Sequence, residues 1–148
     1  MNQVAISEEK RLAERRSISA LKELMINLPE EDKFDLDALT SHFFAPGIYA
    51  RMLFIPAGGV VVGKIHKHTT MNIICKGKIA VSTEAGRVFF EGPCVVNSDP
   101  GIQKAGYAVE DTWWINIHAT NETDLEKIED QFIAKDHEEL ENKMNGEY

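Results

Sequence analysis

Two histidines, His66 and His68, stand one residue apart in the stretch Gly63-Lys-Ile-His-Lys-His-Thr-Thr-Met-Asn72. On an extended strand, side chains at i and i+2 point to the same face, so both imidazoles can reach one point. A metal site built on a β-scaffold needs that arrangement, and so does a pair of donors aimed at one anion. The polar neighbours decide between the two chemistries. His66 and His68, with His118 as a third imidazole, could hold a divalent transition metal serving as Lewis acid or oxygen activator. If instead Lys64, His66, His68, Lys104 and His118 face inward with Asn72, the site offers several donors and positive charge with no acid among them. That set suits phosphate, carboxylate or the polar edge of a nucleotide, and it calls for no cofactor. Trp114 or Tyr107 adds a surface on which a base can stack.

No other catalytic signature appears. The chain has no Walker loop, no GxSxG and no GxGxxG. Cys75 and Cys94 form no CxxC pair and read as small buried hydrophobes in a reducing compartment.

The elements that must position these residues are readable from pattern. Residues 7–27 predict a helix: Ser7 suits the N-cap, Glu8 and Glu9 the first turn, and Ile18, Leu21, Met25 and Leu28 share one side. After Pro29, the spacing of Leu36, Leu39, Phe43 and Phe44 predicts a second short helix packed on the β-rich centre of the chain. From Gly47 the character changes to short β-rich segments closed by turn residues, among them Pro56-Ala-Gly-Gly59, Lys76-Gly77, Gly92-Pro93 and Asp99-Pro-Gly101, at the spacing of an all-β sandwich or barrel. The last segment, Thr112 to Thr120, alternates. Trp113, Ile115, Ile117 and Ala119 share one face, and Trp114, Asn116 and His118 share the other. Beyond it, Leu125, Ile128 and Phe132 predict a helix capped by Asn121 or Thr123, and the charged tail past Asp136 is expected to fray.

His-x-His followed by a polar residue four positions on, then by a strand and a Lys-Gly turn, resembles the first motif of the cupin superfamily. Pro100-Gly-Ile-Gln-Lys104 resembles the second, and both lie between Gly47 and Thr120, about half the chain. The resemblance implies a mainly β, cupin-type small barrel or jelly roll with helical extensions at both ends. It divides the chain into an N-terminal helical extension at 1–46, the barrel at 47–120 and an acidic helical tail at 121–148. It also implies association of subunits, so a homo-oligomer is expected, with the helix at 7–27 helping assembly or capping the pocket. Two positions depart from the metal-binding members: Asn72 stands where they carry glutamate, and Lys104 where they carry a third histidine. Asparagine is a poor ligand for transition metals, and a protonated lysine repels a cation. The metal motif is thus degenerate. The pattern is also similar to small cupin-like proteins encoded by bacteriophages. That similarity implies a non-enzymatic sponge for the cyclic nucleotide signals of antiviral defence, working in the host cytoplasm; the alternative it leaves is a metal-dependent isomerase or dioxygenase.

Charge narrows the partners. The 148 residues carry a net −8, which argues against nucleic-acid polymers and membrane surfaces. The segment 1–46 holds 6 basic and 9 acidic residues, 121–148 holds 3 and 10, and 47–120 holds 7 and 5. The acidity lies in the two ends, and the centre is mildly positive, as an anion pocket requires. Met1 to Lys10 is polar and acidic without an apolar stretch, and no run approaches the roughly 18 apolar residues of a membrane span. A cytoplasmic location is expected.

Overall fold

A computed structural model describes residues 6–144. Ser7 caps helix α1 (Glu8–Ile26), its hydroxyl oxygen accepting from the Lys10 N–H at 3.2 Å, with Glu8 and Glu9 in the first turn. Only Ile18 of this helix is buried. Its polar side docks instead: Arg11 and Arg15, one turn apart, both donate to the buried carboxylate of Glu84.

The helix expected around Leu36 to Phe44 is not there. A turn closes at Asp35–Leu39, and the chain then enters strand β1 (Thr40–Ala45), which returns through Pro46-Gly47 into β2 (Ile48–Ile55). Gly47 sits at φ +76°, a conformation that glycine adopts without steric cost. Pairing with β2 overrides the helical spacing, because threonine and two phenylalanines fit a pleated surface at least as well as a helix. The barrel therefore starts at Thr40 rather than Gly47.

The remaining strands are β3 (Val60–Val62), β4 (Ile65–His66), β5 (Thr70–Lys76), β6 (Lys78–Thr83), β7 (Gly86–Glu91), β8 (Cys94–Ser98), β9 (Ala105–Ala108) and β10 (Thr112–Ala119). Helix α2 (Leu125–Phe132), the two-residue β11 (Ile133–Ala134) and helix α3 (His137–Met144) complete the chain. One antiparallel sheet runs β1-β2-β10-β5-β8 and a second runs β3-β9-β6-β7, while β11 pairs with β4. Neighbours in each sheet come from distant parts of the chain, and two such sheets packed face to face make a jelly roll. The fold is thus mainly β with helical extensions at both ends, as the sequence predicts.

Turn chemistry fixes the crossing points. At Gly77, between β5 and β6, φ is +109° and a Cβ would lie 2.4 Å from the Asp111 carbonyl oxygen, so no larger residue fits. At one end of the barrel Ile55, Ile74, Ile79, Val81, Ala108 and Trp114 close the core, and at the other Tyr49, Ile128 and Phe132 do so. Asp124, not Asn121 or Thr123, caps α2, accepting from the Glu126 and Lys127 N–H groups. The tail past Asp136 continues as α3 as far as Met144, and its last four residues lie outside the described ones. Cys94 is half-buried against the core, but Cys75 is exposed, because β5 turns it to the outer face. Among the described residues no helix is long and apolar enough to cross a membrane.

Candidate functional site

Between the two end clusters the sheets line a partly open cavity of about 380 Å³. Its position follows from alternation along the strands. Tyr49, Arg51, Leu53 and Ile55 of β2 point in, as do Trp114, Asn116 and His118 of β10, the polar face read from the sequence. Leu53, Ile55, Ile79, Val81 and Trp114 give it an apolar floor, and Arg51, His66, Lys104, Asn116 and His118 a polar collar. Helix α2 roofs it with Ile128, Glu129 and Phe132.

Backbone bonds bring the two motif segments together. The Gly101 N–H donates to the His66 carbonyl at 2.9 Å, and the Gly63 N–H to the Lys104 carbonyl at 2.8 Å. Gln103, buried, adds a side-chain bond to the Gly63 carbonyl at 3.0 Å. Lys104 is thereby held close enough to His66 for its charge to be felt there.

Asn72 is fully buried and committed to the fold. Its amide nitrogen shares two N–H groups among three acceptors, the carbonyls of Thr70 and Val96 and the Ser98 hydroxyl, at 3.1, 3.0 and 2.8 Å. Its oxygen accepts from the Trp114 indole N–H at 3.1 Å and from the Asn116 amide at 2.6 Å. Both ends of the side chain are saturated, so the expected ligand contact at Asn72 is corrected to a structural one. Trp114 keeps its ring on the cavity while its N–H is used.

Above this hub four rings follow one another. His42 lies 5.9 Å from Tyr49, Tyr49 5.9 Å from His118, and His118 5.5 Å from His66, centroid to centroid, with planes 15°, 17° and 27° apart. The His42 Nδ1 and the Tyr49 hydroxyl share a hydrogen bond of 2.7 Å. Burial pushes His66 down to about 3, with help from Lys104, His118, Arg51 and Lys64, so it is neutral at physiological pH. Its Nδ1 is buried without a hydrogen-bond partner. His118 is lowered by burial and then by Arg51 and His68. Burial also lowers the Lys104 ammonium to about 8. Among the described residues neither Lys104 nor Arg51 has an ion-pair partner. At the rim, Lys64 is paired with Glu129 of α2.

Of the residues named from sequence, Lys64, His66, Asn72, Lys104, Trp114 and His118 line the cavity. Two do not. Strand β4 ends at His66, so the i, i+2 rule fails and the chain bends to leave His68 exposed, edge-on to Phe132 at 5.9 Å. Tyr107 is 49% exposed on the outer side of β9, since its neighbours Gly106 and Ala108 take the inward positions. Arg51, Tyr49 and His42 went unread. Arg51 had a signal, because it is the single charge in the apolar run Ile48–Ile55.

The donor set does not fit a transition metal. Among the described residues no three of His, Cys, Asp and Glu come together, and the His66, His68, His118 set is broken by the outward turn of His68. Lys104, Arg51 and Lys64 all bear on His66 and oppose a cation there.

No family model and no curated protein sequence matches the chain. Solved structures do. The cupin domain of Schizosaccharomyces pombe Cnp3 is 18% identical, with 72% of this chain and 69% of that one covered and a TM-score of 0.47. A cupin 2 conserved barrel domain protein from Salinispora arenicola is 15% identical, covering 64% and 87%, also at 0.47. An RmlC-like cupin family protein from Methanocaldococcus jannaschii is 14% identical, covering 59% and 86%, at 0.45. The likeness is to cupin barrels. At this identity it assigns neither ligand nor activity.

Proposed function

We propose that this chain binds a small organic anion inside its barrel and holds it without altering it. The observation that carries the reading is the pair Arg51 and Lys104, two cations that line the cavity and form no ion pair among the described residues, while of the acids at the rim Glu129 is paired with Lys64, and Asp37 and Glu126 form none. Burying an unpaired ammonium is costly, and the lowered Lys104 value records that cost. An incoming phosphate or carboxylate removes it, turning an electrostatic liability of the empty barrel into binding energy. The unpartnered Nδ1 of His66 offers a further polar contact, and the apolar floor takes the body of the ligand.

Size narrows the class. A cavity of about 380 Å³ lies at the small end of the roughly 300–1,000 Å³ typical of ligand pockets. It suits an anion of mononucleotide size and not a polymer. The finer form of the proposal is a sponge for a cyclic nucleotide signal of antiviral defence, with the base on the floor near Trp114 and the phosphate at Arg51 and Lys104.

Isothermal titration with cyclic and linear nucleoside monophosphates, inorganic phosphate and benzoate tests the reading. Mass spectrometry of the recovered ligand checks that it is unchanged. Lys104→Met should weaken binding about 10- to 100-fold, the value of one charge-assisted hydrogen bond, and Lys104→Glu should abolish it. Full-strength anion binding by Lys104→Glu, or conversion of the ligand, would sink the proposal.

A further inference from the structure

Two amides in the cavity wall have their orientations fixed by what they face. An indole N–H can only donate, so the end of Asn72 that meets Trp114 is its oxygen. The carbonyls of Thr70 and Val96 can only accept, so the end that meets them is its nitrogen. Asn116 meets the oxygen end, at 2.6 Å, and must therefore turn its own nitrogen to Asn72. That leaves the Asn116 oxygen. Among the described residues no donor reaches it, and it is not buried, so it opens on the cavity that Asn116 lines.

Register places this acceptor. Across the five-stranded sheet one inward row reads His42, Arg51, Asn116, Asn72, Val96. Asn116 thus stands beside Arg51, with their Cβ atoms about 5 Å apart by strand geometry. Along β10 the inward order is Trp114, Asn116, His118, at a spacing of about 6.8 Å for every second residue. The charge of Arg51 is felt at His118 and His66, and that of Lys104 at His66, so both cations bear on the upper end of this series. From floor to roof the cavity offers a ring surface, then a lone acceptor, then positive charge.

We propose that the bound anion carries a hydroxyl between its ring and its charged group, and that Asn116 selects for it. This rests on the reading of the cavity as an anion site. The hydroxyl donates to the Asn116 oxygen and can accept from the remaining N–H of the same amide. A ligand without it takes water away from this oxygen and gives nothing back, leaving a polar atom unpaired. Among nucleotides the ribose 2′-hydroxyl holds this place, between base and phosphate. Among smaller acids the hydroxyl of an aryl 2-hydroxy acid does.

Isothermal titration of the full chain with two matched pairs tests the inference: adenosine 3′,5′-cyclic monophosphate against its 2′-deoxy analogue, and mandelate against phenylacetate. The hydroxylated member should bind about 10-fold or more tightly than its partner. Asn116→Ala should bring that ratio to about one, whereas an Asn116 that served only the fold would weaken both members alike. The ratio is taken within one protein, so a less stable variant still reports it, and the wild type alone decides where the variant fails to fold. Equal binding of the two members by the wild type, or binding of phosphate or benzoate alone, overturns the inference and leaves the anion reading intact. So does a preference that survives Asn116→Ala. If neither pair binds, nor phosphate nor benzoate, the anion reading itself fails and takes the inference with it.

Discussion

From a position with no solvent exposure Asn72 reaches five hydrogen-bond partners, three of them sharing its two amide hydrogens, and joins β5, β8 and β10 under the cavity. Replacing it with leucine removes partners from Trp114, Asn116 and Ser98 at once. Asn72→Leu should therefore lower stability by about 2–4 kcal/mol in urea denaturation. Nothing near Asn72 in sequence announces this role, because four of its five partners lie 24 to 44 residues away. The residue types of the site were legible, but their satisfaction was not. Titration at the site gives a prediction with two opposite signs. An anion needs Lys104 protonated, so affinity should be greatest below about 8 and fall up to tenfold per pH unit above it. The stability of the ligand-free protein should move the other way. Between about 8 and 10.5 the unfolded chain holds the Lys104 proton and the folded one does not, so this group's contribution rises with pH. His66 acts on the acid side: from 6.5 down to about 3 only the unfolded chain takes its proton, so stability falls as pH falls. Titration calorimetry and denaturation midpoints from about pH 5 to about pH 9 read both trends.

Helix α1 is held less by its apolar stripe than by Glu84. Burial alone would raise this carboxyl, but the bonds from Arg15 and Arg11 outweigh it and hold it below its ordinary value. Glu84→Gln should cost about 1–3 kcal/mol and expose α1 to protease while the barrel stays resistant, as limited proteolysis would reveal. The contribution of the native pair is present above the ordinary carboxyl value and is lost as pH falls through the lowered one. Elements with a strong local signature were well read. Ser7 and the two following glutamates placed the start of α1, and the alternation of Thr112 to Ala119 sorted the faces of β10 correctly. Elements defined by pairing were not. Residues 40–45 carry a spacing that suits a helix and become a strand only because β2 lies beside them. His66 and His68 obey the two-residue rule only in a strand long enough to contain both, and β4 ends at the first.

The sequence places acid at the ends, mild positive charge in the middle and an apolar β-rich centre, and the molecule sorts these into layers. The mainly β fold and the cavity's position between strands followed from pattern, whereas the row that sets Arg51 beside Asn116 needed the register of five strands to become visible. The roof has a different tie. Helix α2 runs without a break into β11, whose Ile133 pairs with His66, and Lys67 clasps the same segment through bonds to the Phe132 and Asp130 carbonyls at 2.7 and 2.6 Å. Raising α2 strips the backbone partners from the strand that carries His66, so unroofing the barrel and loosening its wall are one event.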